Sequence, residues 1–164
     1  MNLKRELESW LRGYSRLIIL GIGNPLRGDD ALGVEILRLL ENKVPKNVSL
    51  IKGGPVPENF IGKIKSLAPS HILLIDATHF GGNPGEVNLM SPEETIGLAI
   101  STHTIPLYLT AELIKEATDA KVLLLGIQPK KIDLGEEISY EVKEAIKKVA
   151  ETIIETLKIT SSME

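Results

Sequence analysis

The sequence predicts an α/β fold in which helices cover both faces of a single sheet. Two observations carry this. Short apolar runs bounded by Gly, Pro and Asp alternate along the chain with segments of helical periodicity, as a sheet with crossover helices requires. One link, "HFGGNPGEV", joins two of these runs in too few residues for a helical crossover, so the strand after it is expected to run antiparallel and the sheet to be mixed.

The elements follow in order. In "MNLKRELESWLRGYSR", Leu3, Leu7, Trp10 and Leu11 recur on one helical face, which predicts a short docking helix within an N-terminal extension over residues 1–14. A first strand over 17–23 and a second over 49–52 flank a helix over 31–41 that carries Leu32, Ile36, Leu39 and Leu40. The third and fourth strands lie at 72–76 and 86–89. A further crossover helix begins at Pro106 and runs through Leu113 and Ile114 toward a fifth strand over 122–126. The last helix, over 140–157, places Val142, Ile146, Val149, Ile153 and Leu157 on one stripe with Glu and Lys opposite, so it is expected to close over the sheet. There is no repeat, low-complexity tract or linker. The 164 residues, 43% of them hydrophobic, are therefore expected to form one domain.

Composition excludes several classes of function. Net charge is −3 and the basic residues are spread among acids, leaving no stripe that would neutralise nucleic-acid phosphates. No apolar run approaches the roughly 18–20 residues needed to span a bilayer. The N-terminus is too charged for a secretory signal, which points to a cytoplasmic protein with no membrane insertion. Cysteine is absent, so disulfides, thiolate metal sites and Cys nucleophiles are excluded together. Any metal must be held by His and carboxylates.

The stretch "GIGNPLRGDDALGVE" begins like a phosphate-binding glycine loop, but the sixth residue from Gly21 is Leu26 rather than Gly, and Pro25 removes a backbone donor. What remains is a strand, a tight turn, and Asp29 and Asp30 at the mouth of a helix. Helix capping and the positive helix terminus account for Asp29; two adjacent acids exceed what capping needs, which singles out Asp30. Asp76 ends the run "HILLIDAT" at the carboxyl end of a strand, where open α/β sheets bind ligands, although an Asp there also forms turns. His103, in "ISTHTIPL", precedes a helix start and is either a capping residue or a ligand. His71 and His79 are expected to be solvated. Asp30, Asp76 and His103 can converge at one sheet edge as an oxygen and nitrogen site for a divalent ion, compatible with Ni or Zn and poor for copper(I). Receiver modules of phosphorelays offer a competing pattern, with Asp76 as phosphoacceptor, magnesium, and Lys130 or Lys131 after the fifth strand. Six residues separate Gly23 from Asp30 and Pro129 precedes the lysines, so that match is partial.

Taken together, "GIGNPLRGDDALG", "GGPVPENF", "LLIDATHFGGNPGEV", "STHTIPL" and "LLLGIQP" resemble the maturation endopeptidases of nickel-iron hydrogenases. The flanking "PEN" and "GIQP" are similar to the HycI-like branch, which serves energy-converting and formate-hydrogenlyase type hydrogenases. The resemblance runs from about Leu17 to Leu157 and leaves only the N-terminal helix outside. It implies a three-layer α/β/α sandwich with a five-stranded, mostly parallel mixed sheet. It also implies an enzyme that removes a C-terminal extension from the hydrogenase large-subunit precursor once nickel is in place, acting as a monomer. The family's metal-contacting positions, an acid in the first loop, an Asp ending the third strand and a His before the next helix, fall on Asp30, Asp76 and His103. Nickel held by substrate thiolates, or another divalent ion, is the expected metal, and one of the carboxylates is the expected general base on water. A nickel-centre chaperone without hydrolytic activity would use the same contacts and leave its precursor uncut.

Overall fold

The computed structural model describes residues 2–98 and 105–162. Its helices are α1 (Leu3–Trp10), α2 (Leu32–Leu40), α3 (Ile61–Leu67), α4 (Leu107–Ala117) and α5 (Tyr140–Ser162), and its strands are β1 (Leu17–Ile22), β2 (Val48–Gly54), β3 (His71–Ala77), β4 (Val87–Met90) and β5 (Lys121–Ile127). Strand β1 is buried along its whole length. Side chains on both of its faces meet helices, so it reads as an unbroken apolar run rather than an alternation.

Parity along the central strands divides the core in two. Leu17 and Ile19 of β1 join Leu73 and Ile75 of β3 on one side, while Ile18, Leu20 and Ile22 join Ile72 and Leu74 on the other. The first core is closed by Leu7 of α1, Ile36 of α2 and Val149 of α5, the second by Ile64 of α3 and Ala111 of α4. The result is the expected three-layer α/β/α sandwich.

The strand order is β2-β1-β3-β5-β4. β2, β1, β3 and β5 pair in parallel, and β4 pairs antiparallel with β5, from Val87 opposite Ile127 to Met90 opposite Leu124. The antiparallel fourth strand is as predicted, but β5 lies between it and β3, so the connection passes over the end of β5 instead of turning tightly. β2 and β4 form the two edges, and the pairing of β2 slips at Gly21/Ile22.

Helix α2 rests on the sheet backbone to backbone. A Cβ added to Gly21 would lie 2.6 Å from the Gly33 carbonyl oxygen, and one added to Gly33 would lie 2.6 Å from the carbonyl oxygens of Ile22 and Ile75. Only glycine at both positions allows this approach. The predicted helix over 31–41 is accordingly a 3₁₀ turn, Gly28–Ala31, followed by α2.

Two expectations need correction. Helix α3 was not foreseen from the sequence, because its seven residues make barely two turns, too few for a periodic signal. Pro57, at the start of the 3₁₀ turn that leads into it, was the available cue. His71 is not solvated: it is 4% exposed, with the Trp10 ring edge-on at 4.9 Å and Ser70 Oγ 2.9 Å from its Nδ1. The N-terminal helix covers it. His79 is half-buried in the β3–β4 connection. Among the described residues no helix is long and apolar enough to cross a membrane.

Candidate active site at the carboxyl edge of the sheet

The site grows out of the end of β1. Gly23 has φ +123°, and a side chain there would overlap the main-chain carbonyl of Asp30, so glycine is required where the chain leaves the strand. Asn24 then organises the turn: its side-chain oxygen accepts from Leu26 N at 2.9 Å and its carbonyl from Arg27 N at 3.1 Å. The chain returns through the 3₁₀ turn, and Asn24 N donates to Asp30 Oδ2 at 2.7 Å. Asp30, 2% exposed, is thereby held beside the end of the strand it follows.

Asp76 occupies the neighbouring strand end. It is 1% exposed and pairs with Gly126 of β5, one residue beyond the level at which Gly21 of β1 faces Ile75 of β3. The turn after it is made by Thr78, whose hydroxyl donates to the Asp76 carbonyl at 3.4 Å. Asp30 and Asp76 therefore stand at the carboxyl ends of adjacent parallel strands, as the sequence predicts. His103 lies outside the described residues. Among the described residues no three His, Cys, Asp or Glu side chains form a metal-binding group. The pair of carboxylates supplies oxygen donors of the hard kind that suit divalent ions and can take a proton from water.

Asp29 behaves differently from its predicted role. Neither the 3₁₀ turn nor α2 has a side-chain cap, so Asp29 does not cap its own helix. It is fully buried, and its carboxylate accepts four hydrogen bonds from across the molecule: Lys130 N at 2.7 Å, Lys131 N at 3.0 Å, Ser139 N at 2.7 Å and Ser139 Oγ at 2.9 Å. The helix terminus it serves is that of α5. Lys130, the lysine a receiver module would need, pairs instead with Glu141 at 3.2 Å. Hydrogen bonding within the first turn of α5, then Lys130, holds the Glu141 carboxyl below its ordinary range.

Gln128, the single glutamine, is a positioning residue that the sequence did not reveal. Its side-chain oxygen accepts from Phe80 N at 2.9 Å and Gly82 N at 3.2 Å, while its main chain bonds Gly85 and Glu86. These bonds fasten the β3–β4 connection over the end of β5. A lone amide at the end of an apolar strand was the only signal. Next to it, Lys130, Lys131, Gly135, Ser139, Tyr140 and Glu141 line a recess of about 450 Å³ on the same edge of the sheet. A groove of about 340 Å³ at the far end, between α1 and α5, is lined by neither Asp30 nor Asp76.

Comparison with known proteins decides the family. A model described as "HycI: Hydrogenase maturation protease" matches residues 34–156. The chain belongs to the hydrogenase maturation protease family. The Hydrogenase 3 maturation protease of Escherichia coli is 32% identical over 133 residues, covering 80% of this chain and 85% of that protein. The crystal structure of a [NiFe] hydrogenase maturation protease HycI from Thermococcus kodakarensis superimposes with a TM-score of 0.86 at 42% identity, over 93% of this chain and 99% of that one. The solution structure of the endopeptidase HycI from Escherichia coli gives 0.76 at 31% identity, over 84% and 88%. The hydrogenase maturation protease described here is thus a peptide-bond hydrolase, and it works without a Cys nucleophile, since it contains no cysteine.

Proposed function

We propose that this protease removes the C-terminal extension of a nickel-loaded [NiFe]-hydrogenase large-subunit precursor, using Asp30, Asp76 and His103 to contact the metal. One observation carries the reading: two buried carboxylates, Asp76 at the end of β3 and Asp30 held by the Asn24 amide beside the end of the neighbouring β1, stand at one edge of the sheet in a chain of this family. The nickel is cargo of the substrate, held by the precursor's thiolates. The oxygen atoms of Asp30 and Asp76 and the imidazole of His103 supply further donors, which together favour a divalent ion with open positions. One of the two carboxylates takes a proton from the attacking water as the scissile carbonyl is polarised, so the chemistry is of the aspartate-dependent kind. The enzyme acts as a cytoplasmic monomer on this single protein partner.

The test is to incubate the protein with nickel-loaded and nickel-free precursor and weigh the precursor by mass spectrometry. Loss of a C-terminal peptide from the loaded form alone is expected. A precursor that is bound but keeps its full length would replace the protease reading with that of a nickel-centre chaperone.

A further inference from the structure

We propose that Asp29 is a positioning residue for Asp30, locking the β5–α5 loop to the turn that carries this metal-contacting carboxylate. This rests on the reading of Asp30 given above. A buried carboxylate persists only when its charge is compensated, and here compensation comes from three main-chain N–H groups and one hydroxyl rather than from an ion pair. Two of the main-chain donors begin the β5–α5 loop and the third ends it, so one side chain closes the loop at both of its ends. The main chain repeats the connection: Asp29 N donates to Lys131 O at 2.7 Å, and Gly135 N donates to Leu26 O at 3.0 Å. Gly28, at φ +56°, leaves no room for a Cβ, which would lie 2.5 Å from Lys131 O.

The consequence for Asp30 follows from helical geometry. Successive side chains in a 3₁₀ turn diverge by about 120°, since the turn has three residues. Fixing Asp29 toward Lys130 and Ser139 therefore directs Asp30 away from the loop and toward the end of β1, where it meets Asn24 N. An Asn at position 29 cannot reproduce the lock. Its amide nitrogen is a donor and would face donors that the second carboxylate oxygen now accepts.

The experiment compares D29N, S139A, S139T and D30N with the parent enzyme on nickel-loaded precursor, below the thermal transition of each variant. For D29N, kcat is expected to fall roughly tenfold to a hundredfold with KM changed less than about twofold, because positioning is lost while substrate contact is kept. Exchange of the Asn24 amide with deuterium should accelerate, while the amides of β1 and β3 stay protected. S139A should lose kcat by several-fold and S139T should recover it. A folded D29N with parental kcat and an unchanged Asn24 amide overturns the proposal, as does a loss confined to KM or to thermal stability. If D29N does not fold, S139A decides: parental kcat in that variant overturns the proposal equally. D30N separates the two readings. Parental cleavage by D30N removes the role assigned to Asp30, whereas an inactive D30N beside a fully active D29N removes only the role assigned to Asp29.

Discussion

Gly21 and Gly33 face each other so closely that a methyl group on either would lie 2.6 Å from a main-chain oxygen across the strand–helix contact. Gly33 follows Asp30 by three residues. The depth at which α2 sits on β1 and β3 therefore sets where the acid of the first loop stands. Replacing Gly33 by Ala is expected to destabilise the fold by about 1–3 kcal/mol, the usual cost of overpacking, because the neighbours are main-chain atoms that cannot turn aside. The midpoint of denaturant unfolding measures this. An unchanged midpoint would mean that α2 is free to rise from the sheet.

Asp30→Asn keeps an oxygen that can accept the Asn24 amide, so the fold should be retained. Processing of nickel-loaded precursor should nevertheless fall roughly 10²–10⁴-fold, the range associated with loss of a positioned acid or base. Circular dichroism checks the first half and precursor mass the second. Cleavage at the parental rate would remove Asp30 from the chemistry.

His103→Ala is expected to abolish processing to a similar degree, roughly 10²-fold or more, with little change in melting temperature. A lowered melting temperature with processing intact would instead identify His103 as a helix-capping residue.

Burial holds the His71 pKa below the ordinary histidine value, and nearby Lys121 adds to the effect, while the Trp10 main chain works in the opposite direction. The unfolded chain thus takes up a proton at a higher pH than the folded one. Stability from this residue is complete above the unfolded value of about 6.5 and is lost as pH falls through the folded value. Chemical denaturation of the parent should show this loss between neutral and mildly acidic pH, and H71Q should show a flatter profile. Equal slopes in the two proteins would mean that His71 titrates alike when folded and unfolded.

Gln128→Ala should leave the amides of Phe80 and Gly82 without their present acceptor, at a cost of about 1–3 kcal/mol if they stay buried. Faster deuterium exchange at those two amides, with the amides of β5 unchanged, is the expected signature. Retained protection would show that the β3–β4 connection holds itself.

The sheet was legible because its central strands β1 and β3 are apolar on both faces and are followed or ended by glycine or aspartate, so period and punctuation agreed. Asp30 and Asp76 were legible for a related reason: each follows or ends such a strand, and parallel sheets gather strand ends at one edge. Asp29 was misjudged because its partners are remote, Lys130 lying 101 and Ser139 110 residues along the chain. Local sequence offered only the nearer helix as a partner. His71 failed in the same way, since the aromatic ring that covers it belongs to a helix 61 positions earlier, at Trp10. Contacts made by single side chains between distant segments leave no periodicity to read.

The edges of the sheet carry a last consequence. β4 is four residues long, and β2 exposes Lys52, paired with Glu41 at 2.6 Å, slips in register near its two final glycines and stops before Pro55. A short margin on one side and a charged, slipped one on the other are poor templates for further strands. A peptide laid alongside them finds few consecutive amides and carbonyls to join, so neither self-association into fibrils nor capture of a stray extended chain is favoured there. An enzyme proposed to meet an unfinished protein with a loose tail would then be able to let that tail go.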